Sequence, residues 1–451
     1  MLFHRIESSG RRLWRSSWQP VITWLLLLLL GYWLIFSDPF GLGGISDDAS
    51  QKTIYRLSAN LYDHSKGQEN IVVVVFNDRS IENLYPAFLQ SNDWPLSYQD
   101  QVGLLTTVMA QAPSAIFYDV MWMKRRSMDP GFERAITALK LNQQATGVPL
   151  FFAAGTATDL QKNNVITQLE ETVTPVITAW DDAGDDYPLL SGTEPSAGFA
   201  LYQHYCKQQN CETTPGLFED RMSVRWSSYV APALPHRQNQ CEEPQQSMIA
   251  SAISIGSDIV SSAFHQDWME SEHKPVCLSH QILFWDEVVA MARSEEDSVR
   301  QQLKSLLAGK LVLVGGQIEG VYDFAESPVH GTVPGVMMHA MALDNLLNYG
   351  PEYLRNSDLA GWWLLAYWGV FALFLTSINY PGLTHPLLVR AKDHYRVVGL
   401  LFALTLIFLN MKLWHFAPSG WISLLALGFA GQKFLQGMSE RFSTVEKTDA
   451  S

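Results

Sequence analysis

The chain has few of the features that usually mark an enzyme or a nucleic-acid binder. Basic residues are scarce, with 31 Lys and Arg against 45 Asp and Glu in 451 residues. Phosphate binding requires clustered cations, so this balance argues against a nucleic-acid partner. No phosphate-binding loop and no kinase or cyclase motif occurs, and G-x-S-x-G and H-E-x-x-H are absent, so hydrolase and zinc-protease chemistry have no motif to rest on. Internal repeats and low-complexity tracts are lacking as well. Cysteine is sparse, but all four residues, Cys206, Cys211, Cys241 and Cys277, fall in one central region. An even number confined to one region suggests disulfides in an oxidising compartment. Of the three possible pairings, Cys206–Cys211 with Cys241–Cys277 is the simplest; free thiols are the alternative.

Charge is missing altogether from four runs: 21–36, 359–378, 397–411 and 413–432. About 20 apolar helical residues cross a bilayer. The runs therefore predict transmembrane helices over 20–37, 359–378, 397–413 and 414–435. Trp18, Trp33, Trp414 and Trp421 supply interfacial aromatics. Trp362, Trp363 and Trp368 read as interfacial or helix-packing residues. Apart from Lys412 at an edge, the last two runs carry no charge, which disfavours a transporter. Arg5, Arg11, Arg12 and Arg15 precede the first run, and Arg390, Lys392 and Arg396 lie in 379–396. Positive flanks mark the cytoplasmic side, so 1–19, 379–396 and the tail 436–451 are expected inside and the acidic region 38–358 outside. The first run is long for a signal peptide, and no small-x-small cleavage site follows it, so it is expected to stay as a signal anchor.

Region 38–358 alternates strands and helices. Ile71–Phe76 is a continuous β-branched run, the pattern of a strand buried on both faces. Ser97 can cap a helix over 98–110, and Ser114–Val120 is a second strand, so the three form a βαβ unit with parallel pairing. A helix over 132–146 and a strand over 148–154 follow. Residues 155–300 show no clear periodicity; Asp181, Asp182, Asp185 and Asp186 read as a solvated loop rather than a calcium site. A helix near 296–307 leads into the strand Leu311–Val314, closed by Gly315–Gly316, and 336–347 reads as a helix. Gly309, Gly315, Gly316 and Gly335 are expected to serve turns that need positive φ. The expected fold is an α/β domain with a mostly parallel sheet.

These segments resemble a known family. IVVVVFNDRSI (71–81), WPLSYQDQVGLL (94–105), APSAIFYDVMW (112–122), LAGKLVLVGG (307–316), Asp323 and VPGVMMHAMALDNLL (333–347) resemble, in order and spacing, the CHASE domain of the second type. That family comprises extracytoplasmic sensing domains of bacterial signalling receptors, with one span before the domain and three after it. The resemblance implies a sensor in the bacterial inner membrane with its domain in the periplasm. Such receptors usually continue into a catalytic output domain, whereas only 437–451 follow the last run here. The expectation is therefore a non-enzymatic subunit without cofactor or metal. It would bind a periplasmic ligand or envelope protein, signal through a separate membrane or cytoplasmic effector, and be able to form oligomers. A scaffold subunit of an envelope-spanning complex and an uncharacterised periplasmic enzyme are the alternatives.

Ligands of parallel α/β sheets bind beyond the carboxyl ends of the strands. Asp78 and Asp119 sit at two such ends, Asp323 follows a third, and His339 starts the helix that could face them. These four are the candidate ligand-binding residues, for a cation, a cationic ligand or a proton. The competing role is structural: capping helices and holding loops.

Overall fold

The computed structural model describes residues 2–38, 43–63, 65–126, 131–179, 186–231, 277–321, 323–356, 359–379 and 394–449. Cys241, Asp181, Asp182, Asp185 and most of the 379–396 loop lie outside them. The chain divides into two compact units: one formed by 1–54 with 356–451, the other by 55–355.

The second unit is built on a parallel sheet. Its strands are β1 (Ile71–Asn77), β2 (Ala115–Tyr118), β3 (Leu150–Ala153), β4 (Thr174–Val176), β9 (Gln281–Phe284) and β10 (Leu311–Gln317), in the order β4-β3-β2-β10-β1-β9. Between β4 and β9 lie the short strands β5 (Asp186–Tyr187), β6 (Leu190–Ser191), β7 (Glu194–Pro195) and β8 (Met222–Ser223); after β10 comes a hairpin of β11 (Phe324–Ser327) and β12 (Gly331–Pro334). Every pairing within the large sheet is parallel. β1 and β2 do not pair directly, as a simple βαβ unit would have them: β10, which arrives about 190 residues later in the chain, is inserted between them.

The unbroken apolar character of β1 follows from helices covering both faces. Val72, Val74 and Phe76 pack into one core with Leu104, Leu105 and Val108 of the Tyr98–Met109 helix and Leu303 and Leu307 of the Asp297–Leu307 helix. Ile71, Val73 and Val75 pack into the other with Phe199 and Leu201 of the Ala197–Gln209 helix and most of the Val336–Tyr349 helix. Side chains alternate along a strand, so a strand covered on both faces needs apolar residues at every position. The Tyr98 helix begins as its sequence suggests, with Ser97 accepting the Asp100 N–H at 3.1 Å.

Three of the four glycine expectations change. β10 does not stop at Val314 but runs on through Gly315 and Gly316, and neither these nor Gly335 has positive φ. A Cβ at Gly315 would stand 2.4 Å from Val336 Cβ, and one at Gly316 would stand 2.8 Å from the Phe76 ring. These glycines permit close packing rather than a turn. Gly309, at φ +70°, does serve the expected turn.

Residues 155–300, opaque in the sequence, contain β4 to β9, the Ala197 helix and the helix Trp285–Ala292. Cys206 and Cys211 form a disulfide that closes the end of the Ala197 helix, and Cys277 is disulfide-bonded too. Asp186 pairs with Arg221 at 3.1 Å.

In the first unit, three helical stretches among the described residues are long and apolar enough to cross a membrane: Pro20–Ser37, Ala360–Ile378 and Tyr395–Trp414. The fourth apolar run belongs to the helix Trp421–Asp449, which starts seven residues later than residue 414, because His415 is left-handed and 415–420 form a turn. Lys433 interrupts its apolar part after about 18 Å of helix. Tryptophans join the first two of these helices reciprocally: Trp24 Nε1 donates to the Gly369 carbonyl and Trp368 Nε1 to the Leu27 carbonyl, both at 2.8 Å. Trp368 is fully buried, and Gly31 leaves it room, since a Cβ there would lie 2.1 Å from the indole. Asn379 Nδ2 donates to Gln432 Oε1 at 2.7 Å, the kind of amide contact that holds helices together where apolar contact alone gives little preference.

Candidate functional site

Three of the four candidate residues come together beyond the carboxyl ends of β2 and β10. Asp119 directly follows β2, and its backbone N–H donates to Val314 O at 2.8 Å, which fixes it beside β10. Asp323 precedes β11, and its carbonyl accepts the Gly335 N–H at 2.9 Å at the foot of the Val336 helix. His339 lies one turn into that helix and is fully buried.

Hydrogen bonding sets the tautomer of His339. Tyr187 Oη accepts the Gly198 N–H at 3.0 Å, so its own proton is free to go to His339 Nδ1, 2.7 Å away. An imidazole that accepts at Nδ1 carries its proton at Nε2. That nitrogen faces Asp119 Oδ2 at 3.7 Å, beyond hydrogen-bond length. Asp119 is nine-tenths buried, and its Oδ2 has no hydrogen-bond partner among the described residues.

The electrostatics are those of a proton-retaining group. Burial raises the Asp119 pKa well above the carboxylate range, and the charge of Asp323 adds to the rise. Burial also raises Asp323. His339 is pushed down to about 3 by burial, so it stands neutral. Burial lifts Tyr187 as well, with Asp119 contributing a smaller rise. Phe117 meets the imidazole edge-on, with ring centroids 5.1 Å apart. The site can therefore take up or release a proton, or balance a cation with two carboxylates. The three side chains are not gathered at metal-ligand spacing.

Asp78 stands apart. It opens the Asp78–Leu84 helix, is exposed, and its Oδ2 accepts the Glu319 N–H at 2.9 Å, which clips the turn after β10. Sequence reasoning missed Tyr187, because β5 is two residues long and carries no periodicity.

A second buried polar group, also missed, surrounds Asp344 on the same helix. Its carboxylate accepts from His280 Nε2 at 2.9 Å, from Tyr62 Oη at 3.2 Å and from Asn348 Nδ2 at 2.5 Å. Asp344 and His280 are both inaccessible to solvent. Gly67 lies against the carboxylate so closely that a Cβ there would fall 2.1 Å from Asp344 Cγ. This group ties the start of the unit to the Val336 helix.

No curated protein and no solved structure matches the chain. A family model, described as the CHASE2 domain, matches residues 23–378, from within the first apolar helix through the second and including the whole sheet and the Asp119 site. CHASE2 domains are extracytoplasmic sensory domains of signalling receptors, and this chain belongs to the CHASE2 family.

Proposed function

We propose that this chain is a non-enzymatic multi-pass sensor of the bacterial inner membrane. Its 55–355 unit lies in the periplasm, and the N-terminus and the 379–396 loop face the cytoplasm, with four spans in all. Asp119, Asp323 and His339 detect a proton, and the Val336 helix, which carries His339, responds. An effector protein reads the change through the spans. The observation that carries this reading is the buried Asp119 Oδ2, without a hydrogen-bond partner among the described residues and 3.7 Å from an imidazole nitrogen on a helix. A shift of about 1 Å would close that gap to a hydrogen bond, so the protonation state of Asp119 can bias the position of the helix.

Hydrogen exchange of 336–349 in the full chain, corrected for intrinsic rates, tests the site between pH 5 and pH 8. Protection should change with pH in the wild type, and the change should vanish in Asp119→Asn. If both exchange alike at every pH, Asp119 detects no proton. Reporter fusions at 150 and 300 should read periplasmic, and those at 388 and 451 cytoplasmic; a cytoplasmic signal at 150 would overturn the topology.

A further inference from the structure

The helix Trp421–Asp449 is preceded by a glycine, which has no side chain to cap it. It is entered from Gly420, at φ +73°, whose carbonyl accepts the Leu424 N–H at 2.9 Å. The first amide protons of a helix have no partners within it, and a Ser, Thr, Asp or Asn at the entry residue usually accepts one. Glycine has nothing to offer.

The first half of the Gly43–Ser58 helix, which belongs to the same compact unit, supplies what is missing. Ser50 Oγ accepts the Ile422 N–H at 3.4 Å, and the Asp47 carboxyl accepts the Gly420 N–H. The Ser46 and Ser423 hydroxyls share a hydrogen bond of 2.7 Å, and Trp421 Nε1 donates to the Ser50 carbonyl at 3.0 Å. One helix thus caps another in trans through four contacts. Asp47 is the titratable member. Burial raises its pKa to about 6; the Gly420 N–H opposes the rise and Asp38 adds to it. Asp38, at the end of the first span, accepts the Gly43 N–H at 3.0 Å. On Asp47's own helix, Asp48 and Lys52 pair with each other at 3.0 Å. The 415–420 turn offers the Gly420 amide, with His415 at its far end.

We propose that residues 43–54 form a proton-operated clasp on the start of the Trp421 helix, closed when Asp47 is protonated and loosened when it ionises. In the clasp the carboxyl keeps its proton up to about pH 6, whereas released to water it loses it near 3.8. The closed form binds the proton more tightly, so the proton favours closure. That advantage is complete below about pH 4 and is lost as pH rises through about 6. A difference of about two pKa units limits the effect to about 100-fold in the closing equilibrium. The Gly43 helix runs on unbroken to Ser58, past Tyr55, the first residue of the sensory unit. The clasp therefore lies on the segment by which the chain enters that unit, and it does not depend on the Asp119 site.

Spin labels at Gly44→Cys and Gly437→Cys report the clasp, because an added Cβ meets nothing at either position and the native cysteines of the described residues are disulfide-bonded. Pulsed electron resonance on the full chain in lipid nanodiscs should give a narrower distance distribution at pH 5 than at pH 8, where a second, broader population grows in, because the closing equilibrium falls about tenfold between them. Asp47→Asn, which keeps an acceptor oxygen without charge, should stay narrow at both. The same distribution at pH 5 and pH 8 in the otherwise wild-type chain overturns the proposal, as does an Asn variant that still switches. The hydrogen-exchange response of 336–349 should be retained in Asp47→Asn, which separates failure here from failure of the Asp119 reading.

Discussion

Gly315→Ala tests whether the end of β10 exists to let the Val336 helix approach. The added Cβ would stand 2.4 Å from Val336 Cβ, 2.8 Å from Cγ1 and 2.9 Å from Cγ2. Carbon atoms rest at about 3.5–4.0 Å, so strand and helix must part by about 1 Å. The atom struck is itself a Cβ, and no rotamer change can move it away. Overpacking of this kind costs about 1–3 kcal/mol, a substantial fraction of the roughly 5–15 kcal/mol that holds a domain together. The displaced helix carries His339, so the 3.7 Å gap to Asp119 should change with it. Urea unfolding of the full chain in detergent, followed by tryptophan fluorescence, gives the cost. The decisive measurement is Gly315→Ala in a Val336→Gly background, where the colliding Cβ is gone and the substitution should be nearly neutral. If alanine costs as much there as in the wild type, the close approach is not the reason for glycine, and a backbone requirement at Gly315 has to be the cause.

Asp344→Ala should destabilise the sensory unit by about 3–5 kcal/mol, because it strands the buried donors of His280 and Tyr62 together with the half-buried Asn348 amide; a loss below about 1 kcal/mol in the same urea assay would refute that role for the carboxylate. His330, buried with its Nε2 at 2.8 Å from the Ser227 carbonyl, is pushed down to about 4 by burial, so the unfolded chain takes up its proton first as pH falls. Its contribution to stability is present above about pH 6.5 and fades toward pH 4. Wild type should therefore lose up to about 3 kcal/mol more than His330→Gln between pH 7 and pH 4.5, and parallel pH profiles for the two would refute it.

Local order along the chain was legible wherever one physical constraint acted on consecutive residues. β1 reads as a doubly buried strand because burial on both faces demands apolar residues throughout, and Ser97 reads as a cap because its side chain bonds an amide three residues away. The charge-free runs at 21–36, 359–378 and 397–411 are legible for the same reason: each falls in a helix long and apolar enough to cross a membrane, and a bilayer would impose one requirement on a whole helix. The candidate site was legible in part. Strand ends are marked by the sequence, so Asp119, Asp323 and His339 could be named together. Asp78 shares the same sequence signature, and only the turn at Glu319 shows that its carboxylate is engaged elsewhere.

What the tertiary structure alone decided are the contacts between distant stretches. Insertion of β10 between β1 and β2 depends on pairings across more than 190 residues, and no local pattern encodes them. Gly315 looks like a turn residue until Val336 is seen against it. The Tyr187 hydroxyl that sets the His339 tautomer comes from a two-residue strand, and the cap of the Trp421 helix comes from residues more than 370 positions earlier. A periodic pattern records which face of an element is buried; the identity of the neighbour that buries it is fixed only when the whole chain has packed.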